Sequence, residues 1–233
     1  DYISPRTHRK VQPKTVNNYG FCLKSFQKWL VEKEYVKRKH QPFQAMKKGK
    51  TGKSEKHRPY TNAQITQILG LCDPQMALFL HFLYYTFARP RREVRLLKVQ
   101  DLRESTIWIT QDHDKNGVGR FCDIPPHLGE LIERAGLRNY PPHYYLFALG
   151  GKPGLRPVGW GYFYKKLGKH LATLGLDNQN HSQYSFKHTG NINLWLATKD
   201  LRAIQKQNGH STMAMSETYL RGLGLLDNGN EVV

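Results

Sequence analysis

Residues Tyr184 to Tyr219 read YSFKHTGNINLWLATKDLRAIQKQNGHSTMAMSETY, and this stretch decides the fold. It sets Lys187 beside His188, continues as an apolar run with helical spacing, and closes on Asn208-Gly209-His210. Tyr219 follows His210 by nine residues and is preceded by Thr218. Taken singly, a buried tyrosine or a histidine in a turn is ordinary packing. A basic-His pair, a Gly-His turn and a Thr-Tyr pair at these intervals have weight only together.

Outward from this stretch, the charge balance is the next clue. The 233 residues hold 36 Lys and Arg against 18 Asp and Glu, a net charge of +18. Such an excess points to a polyanion, because basic chains gain affinity by releasing counterions from phosphate backbones. The charge is also segregated. Residues 1–60 carry 16 Lys and Arg against 4 acidic residues, and the rest carry 20 against 14. Neither a signal peptide nor an apolar run long enough to span a bilayer is evident, so no membrane partner is expected. Cys22, Cys72 and Cys122 lie far apart, and the histidines are scattered. The pattern implies neither a disulfide framework nor a metal site.

Thr15 is placed to cap a helix whose apolar stripe is Val16, Tyr19, Leu23, Phe26 and Leu30, with Lys24, Lys28 and Lys33 exposed. From Lys37 to Arg58 the chain is basic and lacks sustained periodicity. It reads as a linker lying near DNA, with Lys47, Lys48, Lys50, Lys53, Lys56 and Arg58 as backbone contacts. Residues 1–58 are thus expected to form one DNA-binding part and residues 59–233 a second domain. Thr61 and Gln64 have capping-box spacing. Asp73-Pro74 starts a helix that is apolar almost all round to Phe87 and should be buried. Alternation over residues 105–110 and 121–124 predicts two strands, joined through an Asn116-Gly117 turn. Helices are expected over Pro125–Leu137 and Trp160–Leu174, with three or four more reaching Tyr219.

These motifs together resemble the tyrosine recombinases, the phage integrase family. Lys187-His188-Thr189, Gly209-His210 and Thr218-Tyr219 match the family's closing signature. The run TFARPRREVRLLKVQDL from Thr86 resembles its first arginine motif. The resemblance covers nearly all of the chain from Thr61, as the catalytic domain. Thr15 to Pro59 resembles the end of the helical core-binding domain. That domain is longer in the family, so a fragment of a larger recombinase is expected. The implied fold is mainly α with a small antiparallel sheet, an α+β architecture in which two domains close around duplex DNA.

The resemblance implies metal-free and cofactor-free phosphoryl transfer. Tyr219 would attack a DNA phosphate, leaving a 3′-phosphotyrosyl link and a free 5′-hydroxyl. A phenol is a poor nucleophile at its ordinary pKa near ~10, so surrounding positive charge is expected to favour its ionised form. Arg89 would clamp a non-bridging oxygen, with Arg91 or Arg92 as alternatives because Glu93 follows Arg89 by four residues where the family has three. Glu93 is expected to brace the fold, and Arg91 to touch the DNA backbone. Lys115, in the turn between the strands, matches the family's hairpin lysine, the acid toward the leaving 5′-oxygen. His210 would donate to the phosphate. The chain departs from the family at Lys187, where a second arginine is usual, and at Tyr184, where a histidine is frequent. Lysine cannot make the planar two-bond clamp of a guanidinium. His188 is expected in a structural, supporting role.

The implied function is a site-specific recombinase of a bacterial phage, transposon or conjugative element. It would act in the cytoplasm at the nucleoid on double-stranded DNA, as a homotetramer on paired sites and as a monomer when free. Two rivals share the fold: a DNA-binding protein that does not cleave, and a type IB topoisomerase-like relaxing enzyme.

Overall fold

The computed structural model describes residues 3, 10–39, 41–50, 57–110, 112 and 117–226. The chain divides into two compact units, Asp1–Ser54 and Glu55–Val233.

In the first unit, helix α1 spans Pro13–Glu32. It begins two residues before the expected Thr15 cap. Pro13 supplies the reason, because its ring presets a helical φ and its missing N–H is one the first turn leaves unused anyway. Gln12 holds the cap position without a side-chain bond. The face of α1 that packs is a different one from that expected. Asn17, Gly20, Lys24 and Gln27 recur at helical spacing and hold residues 41–50 against the helix. Asn17 exchanges two hydrogen bonds with the backbone of Gly49, at 2.9 and 2.8 Å. Lys24 Nζ donates to the Met46 carbonyl at 3.0 Å, and the Phe43 N–H donates to Gln27 Oε1 at 2.9 Å. Part of the expected linker therefore folds onto α1, and the Lys24 ammonium is spent on a carbonyl. Val16, Tyr19, Leu23 and Phe26, the expected inward stripe, are exposed. Lys28, Lys33, Lys47, Lys48 and Lys50 are also exposed, as is Arg58 in the second unit. Lys53 and Lys56 lie outside the described residues.

The second unit is mainly helical: α2 (Asn62–Gly70), α3 (Pro74–Thr86), α4 (Pro126–Arg134), α5 (Tyr162–Thr173), α6 (Gln183–Thr198), α7 (Leu201–Asn208) and α8 (Met213–Gly222). Its starts follow local chemistry. Thr61 and Gln64 form a reciprocal capping box on α2, and Asp73 accepts from Met76 N on α3. Helix α4 stops short of the expected Leu137 because Gly136 turns left-handed, at φ +58°. Strands β1 (Thr106–Ile109) and β2 (Arg120–Asp123) pair antiparallel, and Trp108 lies opposite Phe121. Those two rings meet at 4.6 Å on one face of the ribbon.

Buried α3 is the axis of the core. Phe79 stacks on Phe163 of α5 and meets Phe147 edge-on, and Phe82 also meets Phe147. Helix α6 crosses α3 so closely that a Cβ on Gly190 would collide with the Tyr84 carbonyl. Only glycine allows that approach. Thr189, one residue earlier, accepts from the Tyr60 N–H at 2.8 Å and ties the entry of the unit to α6. No helix among the described residues is long and apolar enough to cross a membrane.

Candidate active site

Four separate elements bring the candidate residues together. Arg89 and Glu93 follow α3, which ends in a left-handed turn at Phe87. Glu93 is fully buried. It accepts the Arg89 backbone N–H at 2.8 Å and pairs with the Arg89 guanidinium. Its other partner is Arg120, whose Nη2 donates to Glu93 Oε2 at 2.7 Å. Burial alone would push the Glu93 carboxyl up, but Arg120 and Arg89 outweigh it and hold the carboxyl below the usual range. Glu93 is thus a permanent anion that fixes two guanidinium groups.

The neighbouring arginines do other work. Arg91 lies over the Trp160 ring, with Cζ 3.8 Å from the centroid. Arg95 donates to the carbonyls of Arg91 and Val158. Arg92 is exposed. Arg89 is therefore the member of this cluster held by Glu93.

Arg120 was not among the expected site residues. The signal lay in the strand period. Residues 120 and 122 share one face, Cys122 is buried, and Phe121 on the other face is half exposed. Arg120 points inward for the same reason, with only 10% of its side chain exposed.

Helix α6 carries Tyr184, Lys187 and His188. Ser182 caps it and accepts from Tyr184 N. Lys187 is half-buried, and burial lowers its ammonium pKa to about 8. Glu93 opposes that shift, while Arg120 and Arg89 add to it. Tyr184 is pushed up by burial, and its ring lies 5.0 Å from that of His57.

Helix α7 delivers His210. Gln207 anchors the helix by donating to the carbonyls of Tyr85 and Asp123 and accepting from the Asp123 N–H. Gly209 then ends α7 at φ +68°. A Cβ on Gly209 would occupy the place of the Arg120 side chain. The glycine of the Gly-His pair therefore serves both the turn and the approach of Arg120. His210 Nδ1 lies 2.9 Å from Ser216 Oγ on α8. Burial, then Lys187, Arg120 and Arg89, lower the His210 pKa to about 4.

Tyr219 sits on α8. Its hydroxyl is 2.6 Å from His188 Nδ1, and its ring is 5.7 Å from that of His210. Burial pushes the phenol pKa upward, against the expectation that surrounding charge favours its ionised form. His188, expected in a supporting role, lies at hydrogen-bond distance from the phenol oxygen. Burial, then Lys187 and His57, lower the His188 pKa to about 4, so the ring is neutral near pH 7. Lys115 lies outside the described residues.

The arrangement sets one buried carboxylate among Arg89, Arg120 and Lys187, with a neutral histidine on either side of a phenol. Such a pocket carries excess positive charge and favours an anion. Burial first, and the neighbouring cations second, depress the pKa values of its lysine and histidines.

No protein-family model and no curated protein sequence matches the chain. Solved structures do. A lambda integrase dimer bound to a COC′ core site matches at TM-score 0.71 and 13% identity, over 95% of this chain and 63% of that one. The Tn1549 transposon integrase in complex with a circular intermediate DNA matches at TM-score 0.64 and 17% identity, over 90% and 75%. The XerH site-specific recombinase in its post-cleavage complex with a palindromic difH substrate matches at TM-score 0.52 and 17% identity, over 70% and 49%. The chain thus spans about half the length of that recombinase and under two thirds of lambda integrase. Its fold is the mainly helical tyrosine recombinase fold with a small antiparallel sheet.

Proposed function

We propose that this chain is a site-specific DNA strand transferase, cleaving and rejoining DNA through a 3′-phosphotyrosyl intermediate on Tyr219. The observation that carries the reading is the Tyr219 hydroxyl held at 2.6 Å by His188, in the unit whose Glu93 gathers Arg89 and Arg120. Phosphoryl transfer of this kind needs a positioned nucleophile and fixed cations where charge grows on the phosphate oxygens. Arg89 and Lys187 are assigned to the non-bridging oxygens and His210 to a hydrogen bond with them. Lys115 is assigned by resemblance to the leaving 5′-oxygen. Arg120 joins them through Glu93 and adds a second guanidinium to the pocket. The partner is double-stranded DNA, and four copies on paired sites are the proposed working assembly. The source is proposed to be a bacterial mobile element, acting at the nucleoid. Residues 1–54 are assigned to the DNA grip and the second unit to chemistry.

The test is covalent trapping on nicked duplexes from a randomised pool, with the attached residue mapped. The expected result is an adduct on Tyr219. Tyr219→Phe should abolish it while leaving duplex affinity nearly intact, because one hydroxyl adds little beside many phosphate contacts. DNA binding without any adduct would favour the non-cleaving rival. Relaxation of supercoils without sequence preference would favour the topoisomerase-like one.

A further inference from the structure

We propose that His188 is the base that takes the phenolic proton of Tyr219 as its oxygen attacks phosphorus, an inference that rests on the strand-transfer reading above. The geometry comes first. Helices α6 and α8 bring His188 Nδ1 to 2.6 Å from the Tyr219 hydroxyl, with ring centroids 5.7 Å apart. That is within the reach required of a general base. The direction of the bond follows from the surroundings. Burial raises the phenol and lowers the imidazole, so both are neutral at pH 7. The phenol then donates, Nδ1 accepts, and the histidine proton resides on Nε2.

The other nearby rings are committed elsewhere. His210 Nδ1 is 2.9 Å from Ser216 Oγ. Tyr184, at the position where a histidine is frequent in the resembled family, lies against His57. His57 itself has Nδ1 2.6 Å from Ser182 Oγ.

A histidine with a pKa of about 4 is a weak base before DNA arrives. Burial is the largest cause, and Lys187 and His57 add to it. The groups acting on His188 are Lys187, its neighbour on α6, His57 from the segment before α2, and Tyr219 from α8; behind these, Tyr184 lies against His57 and His210 against Tyr219. The entering phosphodiester brings a negative charge to Lys187 and so removes part of what holds His188 down. Substrate binding thereby strengthens the base at the moment it is needed.

The step balances. The Tyr219 oxygen forms a bond to phosphorus, and its proton moves to His188 Nδ1. The bond from phosphorus to the 5′-oxygen breaks, and that oxygen takes a proton from a general acid, the role that resemblance alone gives Lys115. In the return step the 5′-hydroxyl attacks and gives its proton back to that acid, and His188 returns its proton to the departing phenol.

Three substitutions separate the roles. Asparagine places an amide near the Nδ1 position and keeps an acceptor for the phenol, yet cannot hold the proton. Single-turnover adduct formation on a nicked duplex captured by the parent protein is measured across pH for the parent, His188→Asn and His188→Ala. Each is also made with 3,5-difluorotyrosine at position 219, and melting and duplex affinity are recorded alongside. Both His188 variants should bind DNA as the parent does, slow adduct formation by about 100-fold, and lose the acidic limb of the pH–rate profile. The more acidic fluorinated phenol should rescue the variants while changing the parent little. A His188→Asn protein with parental rate and pH profile overturns the base assignment and leaves the strand-transfer reading standing. Slowing without any fluorotyrosine rescue also overturns it, since His188 would then only position the ring. A parent protein that forms no adduct overturns the strand-transfer reading itself.

Discussion

Lys187 stands where a permanently charged guanidinium would be simplest, and burial leaves it an ammonium that titrates at about 8. Two pH effects follow, with opposite signs. An unfolded lysine holds its proton up to its ordinary 10.5. Between about 8 and 10.5 the unfolded state therefore binds more protons, and stability should rise with pH across that window. Lys187→Met should lose this rise, as read from denaturation midpoints at pH 8 and 10. Activity should move the other way. The phosphate gains negative charge in the transition state, so cleavage at subsaturating DNA should fall as pH climbs past about 8. Lys187→Ala should cost at least ~100-fold in single-turnover rate, the scale of losing one oxyanion donor. Lys187→Arg should keep activity and abolish the alkaline fall, since its charge does not titrate. An alanine variant that cleaves at the parental rate would remove Lys187 from the site.

At the scale of elements, legibility depended on whether the deciding interaction was local. The Thr61–Gln64 box and the Asp73 cap join residues three apart, and both were readable from spacing alone. The two strands were visible through alternation. Helix α1 shows the opposite case. Its apolar stripe looked like the packing face, yet Asn17, Lys24 and Gln27 hold residues 41–50 through polar contacts 16 to 32 residues away in sequence. The Arg120–Glu93 pair and the His188–Tyr219 contact are tertiary in the same way, at separations of 27 and 31 residues. No periodicity encodes such pairs. Gly190 gives a test of the packing that assembles them. Its missing side chain lets α6 lie on the Tyr84 carbonyl, a backbone atom that cannot rotate aside. Gly190→Ala should therefore destabilise the second unit by roughly 2 kcal/mol or more, measured as a shift in denaturation midpoint. Gly70→Ala, with open space around its Cβ, is the control and should leave the midpoint unchanged or raise it.

For the whole molecule, charge and compactness divide at nearly the same place. Residues 1–54 hold 14 of the 36 Lys and Arg and only 3 of the 18 Asp and Glu, a net +11 of the total +18. The second unit starts at Glu55, and His57 and Arg58 are bonded within it, to Ser182 Oγ and the Asn180 carbonyl. A deletion meant to remove the grip should therefore stop at Ser54, because cutting to Arg58 would also strip contacts from α6 and the loop before it. Not every cation in the first unit is available, since Lys24 is held by a carbonyl. Lys28, Lys33, Lys37, Arg38, Lys39, Lys47, Lys48 and Lys50 remain exposed. If even three or four of these meet phosphates, deleting residues 1–54 should flatten the dependence of log K on log salt by roughly 3, at about 0.9 per phosphate neutralised. The second unit alone should then bind duplex DNA weakly, with melting little changed. Fluorescence anisotropy on a duplex between 50 and 200 mM salt measures the slope for both proteins. An unchanged slope would mean that the +11 of the first unit is a solvated surface, and that the phosphate grip belongs to the second unit alone.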